Sequence, residues 1–150
     1  MSTLSSALRL LAREEYAEGR DALEAVVAEE PANATAWAYL SGAHLALADF
    51  DAARAASERA VELDPDGFAP RMKAGELALR LGDLVAAEAE FVAALRAVEP
   101  GTPGSVAARR ALVIVRNRLR GSIAHGASLP KLRAPFAWLR GRRAPVDVTR

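Results

Sequence analysis

The chain has 150 residues, 51% of them hydrophobic but only 5% aromatic, and its net charge of +1 conceals nine basic against eighteen acidic residues in 1–100 and eleven against one in 101–150. Ala dominates the apolar count, which suits closely packed helices better than a sheet, since Ala has the best helix propensity and strand formers are scarce. With no Cys, disulfides and thiolate metal sites are excluded, and no apolar run approaches the roughly 20 residues a membrane helix needs.

The first predicted helix, residues 3–13, places Leu4, Leu8 and Leu11 on one side and turns Ala7 and Leu10 toward the next layer, because spacings of three and four share a face. The same stretch is a poor secretory signal, since an Arg interrupts its short apolar patch and Glu14 and Glu15 follow. Residues 17–29 form its partner, with Leu23, Val26 and Val27 inward and Glu18, Asp21 and Glu24 wet. Pro31 ends that helix, lacking an N–H and clashing with the preceding turn. A second pair spans 34–47 and 51–63, with Trp37, Leu40, His44, Ala53, Ala60 and Val61 inward. Small residues at Gly42, Ala46, Ala53 and Ala56 let its backbones approach, and Asp49 or Asp51 caps the returning helix. A third pair spans 68–81 and 85–98, where Gly82 suits a left-handed C-cap and Asp83 an N-cap.

After a Pro/Gly-rich link over 99–104, Ser105 is expected to cap a seventh helix over about 105–120. Ala108, Leu112, Val115 and Leu119 make its packing face, while Val113 and Ile114 point away from it. From Gly121 the regular pattern stops: 121–150 is punctuated by Gly and Pro, carries a net +5, and contains the cluster Phe136-Ala137-Trp138-Leu139. The expected organisation is therefore a helical array over 1–120 and a basic tail over 121–150.

Shifting the ruler by 34 residues superposes the three pairs. Glu15, Asp49 and Asp83 coincide, as do Tyr16, Phe50 and Leu84, then Gly19, Ala53 and Ala87, then Val26, Ala60 and Ala94. Pro31 and Pro65 keep that spacing, and Pro100 keeps it to within one residue. A fixed period of this length marks a stacked repeat, whose terminal element is atypical because it must cover the last inner face.

These residues resemble the tetratricopeptide repeat family over about residues 2–100. The family pattern is Trp-x2-Leu-Gly-x2-Tyr, then Ala-x3-Phe, then Pro. The second unit offers Trp37, Leu40, Ser41 and His44, then Ala53, Ser57 and Pro65; Ser57 departs from the pattern. The third keeps Gly75, Ala87 and Phe91 but has Arg71 in the Trp place, and the first keeps Ala7, Tyr16, Gly19, Leu23 and Pro31. The resemblance implies an all-α solenoid of three helix hairpins plus a capping helix, curved around a concave face lined by the first helix of each unit. It places Leu4, Leu8 and Leu11, then Ala38, Gly42, Leu45 and Ala46, then Met72, Glu76, Leu79 and Arg80 in that groove. Family members that clamp a chaperone C-terminal carboxylate use Asn, Lys and Arg there. Leu, Ala and Gly fill most of those places here, which points instead to an apolar peptide or helix.

Catalysis finds little support in the residues. His44 lies on an inward face and reads as packed, and His125 has no neighbours at metal-ligand spacing. No Ser sits in a G-x-S-x-G context, and the only Gly-rich stretch, 101–104, is broken by Pro. The expected role is a non-enzymatic, cofactor-free adaptor or scaffold subunit, cytoplasmic, whose partner is a protein or peptide. Its tail is expected to dock a second protein, or the groove itself, through Leu132, Arg133, Phe136, Trp138, Leu139, Arg140, Arg142 and Arg143, since Trp and Arg dominate such contacts. The alternative is an accessory factor whose tail attaches to an anionic membrane surface or nucleic acid; the acidic body weighs against nucleic acid.

Overall fold

The computed structural model describes residues 2–124, which form seven α-helices and, among the described residues, no strand. They are α1 (Leu4–Ala12), α2 (Tyr16–Glu29), α3 (Ala34–Ala46), α4 (Phe50–Leu63), α5 (Phe68–Arg80), α6 (Leu84–Arg96) and α7 (Pro103–Ala124). The six expected repeat helices are all present, within one or two residues at each end. His125 and the tail residues from Leu132 to Arg143 singled out above lie outside the described residues.

Short polar side chains start most of the helices. Thr3 opens α1 through a capping box with Ser6, while Asn33, Asp49 and Asp83 accept the N–H of Ala36, Ala52 and Ala86 at 2.9, 3.2 and 3.0 Å. Glu15, the periodic counterpart of Asp49, makes no such bond. Glu carries one methylene more and is not among the short side chains that reach back to the first turn. The start of α7 differs from expectation. Thr102, not Ser105, is the cap: its Oγ1 accepts the Ser105 N–H at 3.3 Å, and Pro103 occupies the first helical position. A proline belongs there because its missing N–H would be orphaned anyway. α7 also runs four residues past position 120, through Gly121, since one glycine weakens a helix by only about 1 kcal/mol.

The turn inside each hairpin repeats to the atom. Glu14, Ala48 and Gly82 take left-handed φ values of 63°, 60° and 79°. The following N–H groups, of Glu15, Asp49 and Asp83, bond back to Leu10, His44 and Ala78 at 3.0, 2.9 and 2.9 Å. This is a Schellman cap used three times, and only the third copy has the glycine it favours.

Helices α1, α3 and α5 form one layer, α2, α4 and α6 pack behind them, and α7 covers α6. The interior divides into two clusters. Ala7, Leu23, Val26, Val27, Ala36, Leu40, Ala43 and Ala56 form the first; Ala53, Leu77, Ala78, Ala87, Phe91, Leu112 and Val115 form the second. Helix α4 contributes to both. Of the four small residues expected to let the hairpin close, Ala53 and Ala56 are buried, but Ala46 is exposed and Gly42 faces the concave side.

Two departures from the repeat consensus compensate each other. Trp37 is only half-buried, packed against the first cluster, and its Nε1–H donates to the Pro31 carbonyl at 3.0 Å. One period later Arg71 stands in its place and donates its Nε–H to the Pro65 carbonyl. The guanidinium then needs a counter-charge, and Glu90 supplies it, with its carboxylate oxygens 3.0 and 3.3 Å from Nη1. The position one period before Glu90 is Ala56, so Trp–Ala in the second unit becomes Arg–Glu in the third. Burial pushes the Glu90 carboxyl above its ordinary range, and the hydrogen bond and charge of Arg71 only partly offset that. A similar exchange operates in size. Ala7 and Leu23, Ser41 and Ser57, and Gly75 and Phe91 hold equivalent buried positions in the three units. A Cβ on Gly75 would lie 2.6 Å from the Phe91 ring, so the largest side chain requires the smallest partner.

Candidate functional site

The concave side of α1, α3 and α5 encloses about 530 Å³, lined by Leu8, Leu11, Ala12, Tyr16, Tyr39, Gly42, Leu45, Ala46, Lys73, Glu76 and Arg80. Leu8, Leu11, Gly42, Leu45, Ala46, Glu76 and Arg80 were placed there by the family resemblance. Leu4, Ala38, Met72 and Leu79 were too, but they do not line it. Ala38 is 0% exposed, Leu4 packs on the first cluster, and Met72 and Leu79 pack on the second. Leu4, Ala38 and Met72 are one periodic row, with Ala38 fully buried and Leu4 and Met72 half-buried against the two clusters.

A different row replaces it. Tyr39 and Lys73 sit 34 residues apart, two positions beyond Trp37 and Arg71, and both line the groove. Lys73 Nζ lies 5.3 Å from the Tyr39 ring centroid and 2.8 Å from Glu76 Oε2. Its stem crosses Gly42, where a Cβ would touch Lys73 Cδ at 3.4 Å. The spacing signal for this row was available in the sequence, but the consensus pattern ends its description of the first helix without it. The expectation of a largely apolar groove is thereby corrected. Leucine and alanine from α1 and α3 make one wall, while Lys73, Glu76 and Arg80 on α5 make a charged one. Lys73 is already neutralised by Glu76; Arg80 has no ion-pair partner among the described residues.

His44 lies outside the groove lining. Its Nε2 is 3.9 Å from Glu24 and its buried Nδ1 is 3.8 Å from Asp49, with no hydrogen bond formed. Both separations exceed hydrogen-bond reach, so the ring packs at the junction of α2, α3 and α4 rather than being poised for proton transfer. Among the described residues no group of His, Asp and Glu could hold a metal ion, and no helix is long and apolar enough to cross a membrane.

The family model described as tetratricopeptide repeat matches residues 10–74. No curated protein matches the sequence. Among solved structures, the chain is similar to the Sgt2 TPR domain from Aspergillus fumigatus, at 22% identity and a TM-score of 0.69, covering 89% of this chain and 86% of that one. It is also similar to PcrH, solved in complex with the chaperone binding region of PopD, at 19% identity and a TM-score of 0.64 over 77% of this chain and 89% of that one. The first TPR of Spaghetti (RPAP3), bound to the HSP90 peptide SRMEEVD, gives the same identity, score and coverage.

Proposed function

Starting from a chain whose residues 10–74 match the tetratricopeptide repeat and whose described fold is that of tetratricopeptide repeat domains, we propose that it is a non-enzymatic adaptor whose groove holds an apolar peptide or helix of a partner protein. The carrying observation is the groove itself: an open trough with leucine and alanine on one wall. Apolar anchors at helical spacing would seat between Leu8, Leu11 and Leu45, with the guest's backbone and acidic side chains meeting Tyr39 and Arg80. PcrH, the Yersinia enterocolitica chaperone SycD and RPAP3 were each solved with a segment of another protein, which supports a peptide as the guest. A free C-terminal carboxylate fits poorly here, because Glu76 occupies the charged wall and already neutralises Lys73.

Peptides selected from a display library on the full chain, titrated by fluorescence anisotropy, test this reading. Leu45→Asp and Leu11→Asp should each weaken binding by more than tenfold while helical content is retained. Equal binding to folded variants would remove the groove as the site.

The finer reading concerns the tail. Its net +5 complements the acidic body, and its Phe136, Trp138 and Leu139 suit the leucine wall of the groove, so the tail docks a second protein or occupies its own groove until displaced. Removing residues 125–150 should then tighten groove peptides, and a synthetic 125–150 peptide should compete for Leu45. Attachment to anionic vesicles or duplex that fades as salt is raised would instead favour the tail as an address.

A further inference from the structure

Helix α7 covers α6 with Ala108, Leu112 and Val115, yet its opposite side is not the polar surface a terminal cap needs. Val106, Val113 and Ile114 are 44, 58 and 47% exposed. Their spacing of seven and eight residues sets them on one stripe about two turns long. Around that stripe stand five arginines and no acid anywhere in the 22 residues of the helix. Among the described residues Arg116 alone is paired, to Glu88 at 2.6 Å. Arg109, Arg110, Arg118 and Arg120 have no ion-pair partner among the described residues.

We propose that this outer face of α7 is a second docking surface, separate from the groove, for an acidic amphipathic helix of another protein. Charge selects the occupant. An α7–α7 pairing of two copies would set five arginines against five, and the chain's own 125–150 segment is itself basic, so both self-covers are repelled. A nucleic acid would use the arginines but leave the aliphatic stripe wet. A bilayer would receive four short aliphatic side chains at most, with Ile123, 61% exposed, standing to one side of the stripe, too few to anchor, while the acidic repeat body would be held against anionic headgroups. A helix with Leu or Ile at spacings of three, four and seven, flanked by Glu or Asp, satisfies both halves of the surface.

The test is a helical-peptide display selection on the full-length chain, each selected peptide being titrated by anisotropy against variants. Peptides rich in Asp and Glu with apolar residues at helical spacing are expected. They should bind at least tenfold more weakly to Val113→Asp/Ile114→Asp and to Arg109→Glu/Arg110→Glu, and unchanged to Leu45→Asp, whose loss would report the groove instead. Circular dichroism confirms that the variants fold; Val113→Ser serves if the double change does not. The proposal is overturned if no selected peptide depends on these residues. It is equally overturned if the same variants abolish self-association in sedimentation, or binding to phosphatidylserine vesicles or a DNA duplex, without affecting any acidic peptide.

Discussion

Replacing Arg71 and Glu90 together by the residues of the preceding unit, Arg71→Trp with Glu90→Ala, should leave a stable protein although each change alone damages it. Glu90 has a side chain only 6% exposed and Arg71 18%, so the pair is drawn out of water and each partner is the other's main compensation. Removing one member of such a pair leaves an uncompensated buried charge. Glu90→Ala and Arg71→Trp should each cost about 2–3 kcal/mol, below the usual range for buried pairs because Arg71 keeps some water and its bond to the Pro65 carbonyl. The double variant recreates the Trp37–Ala56 arrangement, in which an indole N–H reaches the equivalent carbonyl, that of Pro31, and no charge is buried. Well-packed apolar replacement of a buried pair is often neutral, so the double change should lie within about 1 kcal/mol of the parent. Urea unfolding followed at 222 nm, with the slope m checked for constancy, gives the four corners of the cycle. Costs that simply add would refute the reasoning, and so would a Glu90→Ala change that hardly moves the midpoint.

Three further outcomes follow from the same geometry. Ala48→Gly should stabilise by about 0.5–1 kcal/mol, read as a rise in the thermal midpoint, because φ is 60° there and a left-handed residue with a Cβ is strained. Because burial raises the Glu90 pKa in the folded state, this group contributes stability that is present below the ordinary carboxylate value of 4.5 and lost as pH rises through the raised one. Glu90→Gln should flatten that part of the urea-midpoint profile against pH; an unchanged profile would contradict it. Gly75→Ala should destabilise by about 1–3 kcal/mol through overpacking, with partial recovery in Gly75→Ala/Phe91→Leu, the couple that Ala7 and Leu23 already form.

Periodicity made the hairpins legible, because each residue's environment is that of its counterpart 34 positions away. Asp49, Asp83 and Pro31 mark helix ends by local chemistry alone, and all three do so in the structure. What escaped was whatever depends on a contact between side chains of different helices. Glu90 reads as a solvated acid until Arg71 is known to need it. Lys73 reads as surface until Tyr39, one unit earlier, offers its ring face. Ser105 looked like the cap because it is a good capping residue, whereas the Thr102-Pro103 pair carried the stronger joint signal. The Leu4, Ala38 and Met72 row lies off the groove lining for another reason: the consensus fixes which helix faces the trough, but one step of rotation separates a lining residue from a packed one.

The two halves of the interior are joined through α3 and α4, which place Leu40 and Ala56 in the first and Leu45 and Ala53 in the second. Among the described residues the first hairpin packs on the rest through α3 alone, so it is the end freest to loosen while the later units and α7 hold. The trough ignores that division: Leu8 and Leu11 come from one side of it, Lys73 and Glu76 from the other. A guest seated there would act as a splint across the joint, slowing amide exchange in α1 and α2 well beyond the residues it touches, and making the N-terminal end of the stack sense occupancy first.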